Sequence, residues 1–348
     1  MLDLRGVAGG MGPGEVCGAV VEAVGVLRGW LAGEGGPVVV WTEGAVLGRA
    51  GAGVGAGAGV DGVGVAVWGL VRSVQAEFPG RVVLVDGGCR EELAGAVGLG
   101  EPEVVLEGGA AWVPRLAEVV VDGSVEVGSG GWDGSGVVLI TGGLGVLGGV
   151  VARHVVRVWG ARDVVLLGRG SGGGGGLVAE LEALGARVRV VLCDVADRGG
   201  LAGVLGDVGD VRVVVHAAGV VDDGLLGSLT AERVEGVLAA KVVGAWNVHE
   251  VGVELGWRLD AFVLFSSLAG VAGSVGQGAY GAGNAYLDAL AWYRRGLGLP
   301  AVSVAWGLWE ERSRITAGLS VADRARMERR GVLPLATQDA LRLLDTAL

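Results

Sequence analysis

The sequence predicts an α/β protein in which a doubly wound parallel sheet carries helices on both faces. From residue 136 onward, short apolar runs alternate with segments of helical periodicity almost without interruption. Parallel strands require such crossovers, because the chain must return to the end of the sheet where the previous strand began before it can start the next one. The first 125 residues show a poorer copy of this pattern, which predicts a degenerate second unit ahead of the sheet.

The composition is that of a folded chain with a sizeable core. Of the 348 residues, 51% are hydrophobic and 19% are charged. Glycine contributes 72 residues but proline only 7, and glycine does not recur at every third position, which excludes collagen. The net charge of −11 argues against a nucleic-acid partner, because phosphate binding requires a basic surface.

The cysteines and the apolar stretches bear on the compartment. Cys17, Cys89 and Cys193 lie far apart without the spacing of metal ligands, which predicts a reducing, cytoplasmic setting and no metal site. Residues 1–35 lack the basic segment and apolar core of a secretory signal. The uncharged stretch 262–287 contains serines, Gln277, Asn284 and many glycines, which a lipid-facing helix would not tolerate. We therefore expect a soluble protein without a membrane span.

Two domains are predicted, at residues 1–125 and 136–348, with a Gly-, Ser- and Asp-rich linker at 121–135. In the first domain, helices are predicted at 16–31 and 65–78, strands at 38–41 and 82–86, and an antiparallel pair at 103–107 and 111–113. In the second domain, strands are predicted at 137–140, 163–167, 188–193, 213–216, 262–266 and 301–306. Helices are predicted there at 145–159, 177–184, 231–251, 278–296, 322–330 and 338–348.

The first turn of the second domain has the spacing of a dinucleotide-binding loop. Gly143, Gly145 and Gly148 fit the pattern G-x-G-x-x-G directly between a strand and a helix. Such glycines let the backbone approach a pyrophosphate at the helix N-terminus, as in the Rossmann fold. The cofactor contacts predicted in this turn are those three glycines together with Thr141, Leu144 and Val146.

The ends of the next strands indicate which dinucleotide binds. The second strand ends in Gly168 and Arg169 where an NAD site would offer an acidic residue, which favours the 2′-phosphate of NADPH. The alternative for Arg169 is an ordinary solvated loop charge. Asp194, followed by Val195, is a candidate acceptor for the adenine amino group, and an ordinary turn aspartate is equally plausible.

The fourth strand ends in small residues at the same edge. Ala217, Ala218 and Gly219 are predicted to lie close to the cofactor, because small side chains leave room for it. His216, which precedes them, is predicted to be a hydrogen-bonded core histidine without a catalytic role.

Rare residue types mark the candidate catalytic group. Of the 27 basic residues only Lys241 is a lysine, and asparagine occurs only at Asn247 and Asn284. A lone lysine in an arginine-rich chain is expected where a compact ammonium with an adjustable pKa is needed. Tyr280 can donate a proton in carbonyl reduction if a cation favours its ionised form, and Asn284 follows it by one helical turn. For Tyr280 and for Ser267, which ends a strand, packing and helix capping are the alternatives.

On these motifs the chain resembles the short-chain dehydrogenase/reductase superfamily and, more closely, the ketoreductase domain of modular type I polyketide synthases. The resemblance rests on A-V-W-G-L-V-R-S-V-Q-A-E-F-P-G-R from Ala66, W-V-P-R-L from Trp112, T-G-G-L-G-V-L-G, H-A-A-G-V-V-D-D, K-V-V-G-A-W-N-V-H-E, the Ser267/Tyr280 stretch, A-W-G-L-W and A-D-R-A-R-M-E-R-R-G-V-L-P-L. Asn284 stands where most short-chain reductases have lysine, and Lys241 lies earlier in the chain, as in polyketide ketoreductases.

The resemblance implies stereospecific, NADPH-dependent reduction of a β-keto thioester that an acyl carrier protein holds on its phosphopantetheine arm, beside neighbouring synthase domains. Tyr280 would protonate the ketone oxygen and Ser267 would hydrogen-bond it. Lys241 would lower the pKa of Tyr280 and contact the nicotinamide ribose, with Asn284 positioning Lys241. Residues 1–125 would form a truncated, non-catalytic, Rossmann-like structural subdomain. A redox-inactive domain with an epimerase or scaffold role is the alternative.

The resemblance also extends to stereochemistry. Val221-Asp222-Asp223 resembles the Leu-Asp-Asp fingerprint of ketoreductases that form D-β-hydroxyl products, the B-type. Ala272 stands where the competing A-type carries tryptophan, and Gln277 stands where one subtype carries histidine.

The resemblance finally implies a lid over the substrate at residues 308–327, with Leu308 among the substrate residues. It also places Gly281 and Gly283 at helix positions where alanine is usual. Each glycine costs about 1 kcal/mol in a helix interior, which predicts a less rigid catalytic helix.

Overall fold

The computed structural model describes residues 1–5, 10–33, 35–46, 60–118, 132–170, 174–311, 325, 327–329 and 331–348. It confirms the α/β class with parallel, Rossmann-like sheets. The chain forms two compact units, the first from Met1–Val120, Val221–Val242 and Ser267–Leu299, the second from Val121–Val220, Val243–Ser266 and Pro300–Leu348. Two segments from the second half of the chain therefore pack within the first unit.

The elements are numbered in chain order. The strands are β1 (Leu2–Asp3), β2 (Val38–Thr42), β3 (Val82–Gly87), β4 (Glu103–Glu107), β5 (Ala110–Trp112), β6 (Val137–Thr141), β7 (Asp163–Gly168), β8 (Arg187–Leu192), β9 (Val211–His216), β10 (Ala261–Ser267) and β11 (Val302–Trp306). The helices are α1 (Pro13–Leu31), α2 (Gly62–Glu77), α3 (Leu93–Gly98), α4 (Val146–Arg157), α5 (Gly174–Ala183), α6 (Arg198–Leu205), α7 (Ala231–Leu238), α8 (Gly244–Glu254), α9 (Leu268–Ala272), α10 (Gly278–Gly296) and α11 (Thr337–Ala347).

The first unit contains a five-stranded sheet in the order β1-β2-β3-β4-β5. The first four strands are parallel, and β5 pairs antiparallel with β4 as predicted. The turn between them uses Gly108 and Gly109 at φ of 59° and 77°, a conformation that favours glycine. The helices α1, α2, α7, α9 and α10 pack together in this unit.

Helix α2 lies at the centre of that helical layer. Asp61 caps it by accepting a hydrogen bond from the Gly64 N–H, and its residues from Gly62 to Val71 are buried on every face. A methyl group on Gly69 would lie 2.4 Å from the Gly281 carbonyl oxygen and 2.7 Å from Ala285 Cβ. The missing side chains therefore let α2 and α10 approach closely, so Gly281 serves packing between helices and not only the flexibility of its own helix.

Substituting alanine for Gly69 is expected to destabilise the chain by about 1–3 kcal/mol, because the added methyl group overpacks this crossing. The matched control is Gly25→Ala in α1, where a methyl group meets no atom within 4 Å of the described structure. There the better helix propensity of alanine should raise stability by about 0.5–1 kcal/mol. Urea unfolding of both variants tests the crossing, and equal effects would contradict it.

The second unit contains a six-stranded parallel sheet in the order β11-β10-β9-β6-β7-β8. The order reverses direction at β6, so the crevice beyond the carboxyl ends of β6 and β9 is a topological switch point, where such sheets bind ligands. Phe265, Trp306 and Trp309 form an aromatic cluster in its core, with the two indole rings 4.9 Å apart.

Helix α11 is fixed to α4 by one buried carboxylate. Asp345 accepts hydrogen bonds from His154 Nε2 at 2.7 Å and from Trp159 Nε1 at 2.6 Å. Both donors meet Oδ1 of this buried carboxylate, and these two hydrogen bonds hold α11 against the neighbouring chain.

The predicted and the observed elements differ in several places. The single helix predicted at 231–251 is instead α7, a π-helical turn at Ala239–Val243 and α8, because the residues around Lys241 form a wider turn. Helix α6 was not predicted, since its glycines obscure the helical period. Of the helix predicted at 322–330, only residues 325 and 327–329 are described, and they are helical.

Among the described residues, none of the helices combines the length and apolar character needed to span a bilayer. The three cysteines are free thiols.

Candidate active site

Ser267 lies where β10 passes into α9, in the first unit. Its Oγ accepts a hydrogen bond from the Ala269 N–H at 3.2 Å, so it is the N-cap of α9. The side chain is also hydrogen bonded to Tyr280. The capping alternative is therefore confirmed, and the cap holds the hydroxyl beside the phenol. The hydrogen bond from Ser267 to a ketone oxygen stays a prediction.

Tyr280 and Asn284 lie one turn apart on α10, which begins and ends at the predicted residues. Asn284 Nδ2 donates to the Tyr280 carbonyl oxygen at 2.7 Å, and its side chain also hydrogen bonds with the Tyr280 side chain. Asn284 is fully buried, so its amide holds one orientation against the helix.

Lys241 lies in the π-helical turn between α7 and α8, the kind of interruption that often occurs at functional sites. Only 3% of its surface is exposed, and its Nζ lies 5.3 Å from the centre of the Tyr280 ring. A methyl group on Gly283 would lie 3.2 Å from Lys241 Cβ. The glycine therefore makes room for the lysine stem, which explains its presence in the helix better than flexibility does.

Burial is the main cause of the pKa shifts of Tyr280 and Lys241. Burial raises the pKa of Tyr280, the hydrogen bonds with Ser267 and Asn284 oppose the rise, and the charge of Asp223 adds to it. The net direction is upward, because loss of hydration outweighs the two hydrogen bonds. Tyr280 consequently carries its proton at neutral pH, the form that a proton donor needs. The lowering by Lys241 that the resemblance implies stays a prediction.

Burial also lowers the pKa of Lys241 to about 8, while the charge of Asp288 opposes that change. Lys241 is therefore mostly protonated at pH 7 and loses its charge just above it. Asp288 follows Asn284 by one turn of α10 and was not singled out from the sequence, where it looks like an ordinary surface acid.

Two loops next to this group carry the residues predicted to control stereochemistry. Asp222 forms a bidentate salt bridge with Arg233, at 2.9 Å to Nε and 2.6 Å to a terminal nitrogen, which lowers the pKa of Asp222. Asp223 Oδ2 accepts from Gln277 Nε2 at 3.0 Å, and loss of hydration raises the pKa of Asp223. These acids are therefore held in place and are not simply a solvated loop. Val221 precedes them, and Ala272 is exposed at the end of α9.

The glycine turn of the second unit follows β6 and opens α4, as predicted. A methyl group on Gly148 would lie 2.3 Å from the Gly142 carbonyl oxygen, and one on Gly143 would lie 2.8 Å from the Ile140 carbonyl oxygen. Gly145 is the N-cap of α4, and no side chain of the described chain caps that end. Bare backbone N–H groups at a helix N-terminus suit a pyrophosphate. This turn fits a dinucleotide, with Leu144 and the exposed Val146 at its rim.

The neighbouring strand ends meet the same edge of the sheet. Thr141 Oγ1 lies 2.9 Å from Nδ1 of the buried His216, which is the core position predicted for that histidine. A methyl group on Gly142 would lie within 2.9 Å of the Ala217 and Ala218 backbone. Gly219 is the third of these small residues and directly follows Ala218 in the chain.

Arg169 and Asp194 face each other at the ends of β7 and β8, with 3.7 Å between their charged atoms. The arginine is 64% exposed and the aspartate 44%, so this pair adds little stability and leaves the guanidinium accessible to a phosphate. Asp194 also accepts from the Ala196 N–H at 2.9 Å, which is a turn contact.

Asn247 holds the loop that contains Asp194 and Val195, a role not predicted from the sequence. Its buried side chain donates to the carbonyl oxygens of Val195 at 2.9 Å and Ala196 at 3.1 Å. The rarity of asparagine, which singled out Asn284, applies equally to this residue and could have identified it.

Leu308 is buried, and its carbonyl oxygen accepts from the Leu335 N–H at 2.6 Å. Of the predicted lid at 308–327, residues 312–324 and 326 lie outside the described residues.

Comparison with known families identifies both parts of the chain. Residues 2–116 match the family described as "Polyketide synthase extender module SpnB, Rossmann fold domain", and residues 136–311 match the family described as "KR domain". The chain belongs to the ketoreductase domains of modular type I polyketide synthases. Ketoreductases of this kind are oxidoreductases of the short-chain dehydrogenase/reductase superfamily and use a nicotinamide cofactor.

Similar curated proteins are large synthases. Polyketide synthase GfsA of Streptomyces halstedii is 48% identical over 343 residues, which cover 96% of this ketoreductase and 4% of GfsA. Pikromycin polyketide synthase component PikAII of Streptomyces venezuelae is 53% identical over 224 residues, which cover 63% of the chain and 6% of PikAII. The chain thus spans only a small part of the length of these relatives.

Solved ketoreductases share the fold. The ketoreductase from the first module of phoslactomycin biosynthesis in Streptomyces sp. HK803 matches with a TM-score of 0.82 at 36% identity, covering 95% of this chain and 77% of that one. Structures described as an A1-type and a C2-type ketoreductase match with TM-scores of 0.79 and 0.80, at 36% and 33% identity. They cover 97% and 94% of this chain, and 71% of each of those chains. Similarity of fold therefore does not distinguish the stereochemical subtypes.

Proposed function

We propose that this ketoreductase reduces the β-keto group of an acyl thioester with NADPH and forms a D-configured β-hydroxyl. The observation that carries the proposal is the hydrogen-bonded group of Ser267, Tyr280 and Asn284 with the buried Lys241 beside the phenol. A phenol hydrogen bonded to a hydroxyl, with a buried cation nearby, offers what carbonyl reduction needs: a proton donor, a hydrogen bond to the oxygen and charge stabilisation.

The residues divide the work around the ketone oxygen. Ser267 donates a hydrogen bond to that oxygen, and Tyr280 gives its proton to it as the carbonyl bond is reduced. The Lys241 ammonium stabilises the negative charge that Tyr280 then carries, and Asn284 keeps the phenol and its helix turn in register. Water restores the proton to Tyr280 by way of Lys241.

The chain's glycine turn would hold the pyrophosphate of the cofactor, with Thr141, Leu144 and Val146 at its rim and the Ala217-Ala218-Gly219 strand end beside it. Asp194 and Val195 would flank the adenine, and Lys241 and Tyr280 would contact the nicotinamide ribose. When bound, NADPH supplies the hydride that adds to the β-carbon of the thioester. We assign the preference for NADPH over NADH to Arg169, whose guanidinium suits a 2′-phosphate.

Substituting alanine for Arg169 is expected to raise the Kd for NADPH by about 10–100-fold, because a charged hydrogen bond contributes roughly 1.5–3 kcal/mol. The Kd for NADH should stay nearly unchanged, since NADH has no 2′-phosphate. Arg187→Ala is the matched control. Arg187 begins β8, where it is paired with Asp163 at the amino-terminal ends of the strands, whereas Arg169 follows the carboxyl end of β7. Titration of nucleotide fluorescence gives both constants, and equal losses for the two nucleotides would contradict the assignment.

The D-configuration is proposed from the Val221-Asp222-Asp223 loop and from Ala272. The salt bridge of Asp222 with Arg233 and the hydrogen bond of Asp223 with Gln277 give this loop a defined shape beside Tyr280. A defined wall on one side of the proton donor restricts how a β-keto thioester enters, which is the basis of stereoselection. We propose that Gln277 and Leu308 also contribute to substrate binding.

We further propose that the substrate arrives on the phosphopantetheine arm of an acyl carrier protein within a larger synthase, in the cytoplasm. The similar curated proteins are synthases many times longer than this chain, which supports delivery by a neighbouring domain.

The test is NADPH oxidation by the wild-type chain with a racemic α-methyl-β-ketoacyl thioester, followed by chiral analysis of the alcohol. A D-configured β-hydroxyl is expected. An L-configured product would contradict the B-type assignment and leave the reduction intact. Tight NADPH binding without oxidation would contradict the reduction and favour a redox-inactive epimerase role.

A further inference from the structure

The last turn of α2 lies far from the catalytic residues in sequence and contacts two loops, at residues 221–226 and 274–277. We call them the substrate loops, because they carry or adjoin the residues proposed to control stereochemistry. The Glu77 carboxylate accepts from the Gly276 N–H at 3.1 Å through one oxygen and from the Leu226 N–H at 2.9 Å through the other. Leu226 follows the Val221-Asp222-Asp223 loop, and Gly276 precedes Gln277. One side chain from the N-terminal part of the chain thus joins the two loops.

The same two loops are also joined directly. The Gly224 N–H donates to the Gly276 carbonyl oxygen at 2.8 Å, and Gln277 Nε2 donates to Asp223 Oδ2 at 3.0 Å. The two loops are therefore connected to each other, and the Glu77 carboxylate holds both in position by accepting a hydrogen bond from a backbone N–H group of each. Charged acceptors form stronger hydrogen bonds than neutral ones, and the Glu77 carboxylate is the one charged acceptor here that bonds to the backbone of both loops within the described residues.

Other residues of α2 hold the neighbouring backbone. Ser73 Oγ accepts from the Ser274 N–H at 3.4 Å. Arg72 donates to the Gly270 carbonyl oxygen at 2.8 Å while paired with Glu103. The polar face of α2 thus supports the chain from the end of α9 to the start of α10, and Glu77 is its only member that reaches both substrate loops within the described residues.

The position of these loops bears on Tyr280 itself. Gln277 precedes Tyr280 by one helical turn, and the charge of Asp223 is close enough to raise the pKa of Tyr280. A shift of the loops would move Asp223 and Gln277 relative to the proton donor.

We infer that Glu77 is a positioning residue for stereochemical control, which holds the Asp223–Gln277 pair in register with Tyr280 through the N–H groups of Leu226 and Gly276. This inference rests on the proposed function, because it assigns the stereochemistry of that reaction to a contact made by α2. The geometry requires glutamate in particular. Glutamine offers one acceptor oxygen and turns an NH₂ group toward the other N–H, and aspartate is one methylene shorter.

The experiment compares Glu77→Gln with the wild-type chain and with Glu107→Gln, which makes the same change at the exposed end of β4. The readouts are the diastereomer ratio of the alcohol, the Kd for NADPH, and hydrogen exchange of peptides covering 221–226 and 274–277. Glu77→Gln is expected to lower the diastereomer ratio about tenfold, as loss of one charged hydrogen bond allows. It should speed exchange in both loops and leave the Kd for NADPH unchanged, and Glu107→Gln should alter none of these.

An unchanged diastereomer ratio in Glu77→Gln, with a selective wild type, would overturn the inference and leave the proposed function standing. Unchanged exchange in both loops would overturn it even for a variant with low activity. A wild-type chain that does not reduce the ketone would contradict the proposed function, and the inference with it.

Discussion

Substituting phenylalanine for Tyr280 is expected to lower kcat for ketone reduction by about 10²–10⁴-fold, because the only change is loss of the proton donor. Tyr280 is hydrogen bonded to Ser267 and Asn284, and burial keeps its phenol protonated at neutral pH. The phenyl ring keeps the packing on α10, so the Kd for NADPH should rise by at most about tenfold, as the loss of one neutral hydrogen bond to the cofactor allows. Single-turnover reduction at saturating NADPH separates this loss from weaker binding.

The matched control is Tyr293→Phe, which removes a hydroxyl from the same helix at a distance of more than three turns. It should leave kcat nearly unchanged. If Tyr280→Phe kept most of the wild-type kcat, another group would have to protonate the ketone oxygen, and the proposed mechanism would be wrong.

Substituting methionine for Lys241 is expected to lower kcat by about 10²–10³-fold, because the charge left on Tyr280 loses its buried cation. The substitution keeps the length of the stem that packs against Gly283.

Wild-type kcat/KM should fall as pH rises through about 8, since the pKa of Lys241 is lowered to about 8 and the neutral amine no longer stabilises the phenolate. Tyr280, whose pKa is raised, stays protonated over that range.

Asp288 provides a second test of the same assignment. Its charge raises the pKa of Lys241, so Asp288→Asn should lower that pKa and move the alkaline fall of kcat/KM to a lower pH. Asp207→Asn, on an exposed loop of the second unit, should leave the profile unchanged. A profile in Asp288→Asn that coincides with that of the wild type, or moves to higher pH, would show that Lys241 does not set the alkaline limb.

Features determined by local sequence were predictable. The glycine turn lies between a strand and a helix at the expected residues, because its spacing, its flanking apolar run and its backbone requirements are all local. Helix α10 begins and ends where its periodicity indicates, at Gly278 and Gly296. The antiparallel pair of β4 and β5 follows from one Gly-Gly turn.

Features that depend on distant contacts were not predictable. The turn at Lys241 reads as continuous helix, since the residues there have no sequence signal for a π-helical turn. The glycines at Gly69 and Gly281 look destabilising until the helices that contain them are seen to touch. Likewise, Glu77 lies about 150 residues from Leu226 in sequence, and nothing near it indicates that contact.

Charge was the least predictable property of the site. The sequence placed Lys241 beside Tyr280, and the structure agrees. The pKa of Tyr280 is raised because burial outweighs its hydrogen bonds, and burial depends on tertiary packing that sequence spacing does not show.

The most direct test follows deuterium from NADPH carrying two deuterium atoms at C4 of the nicotinamide into a β-ketoacyl thioester. The wild-type chain is expected to place one deuterium on the β-carbon for each NADPH oxidised, in a D-configured alcohol, and Tyr280→Phe is expected to place almost none. Oxidation of NADPH without deuterium at the β-carbon would contradict hydride transfer to the ketone, and with it the central claim that this site is a β-ketoacyl reductase.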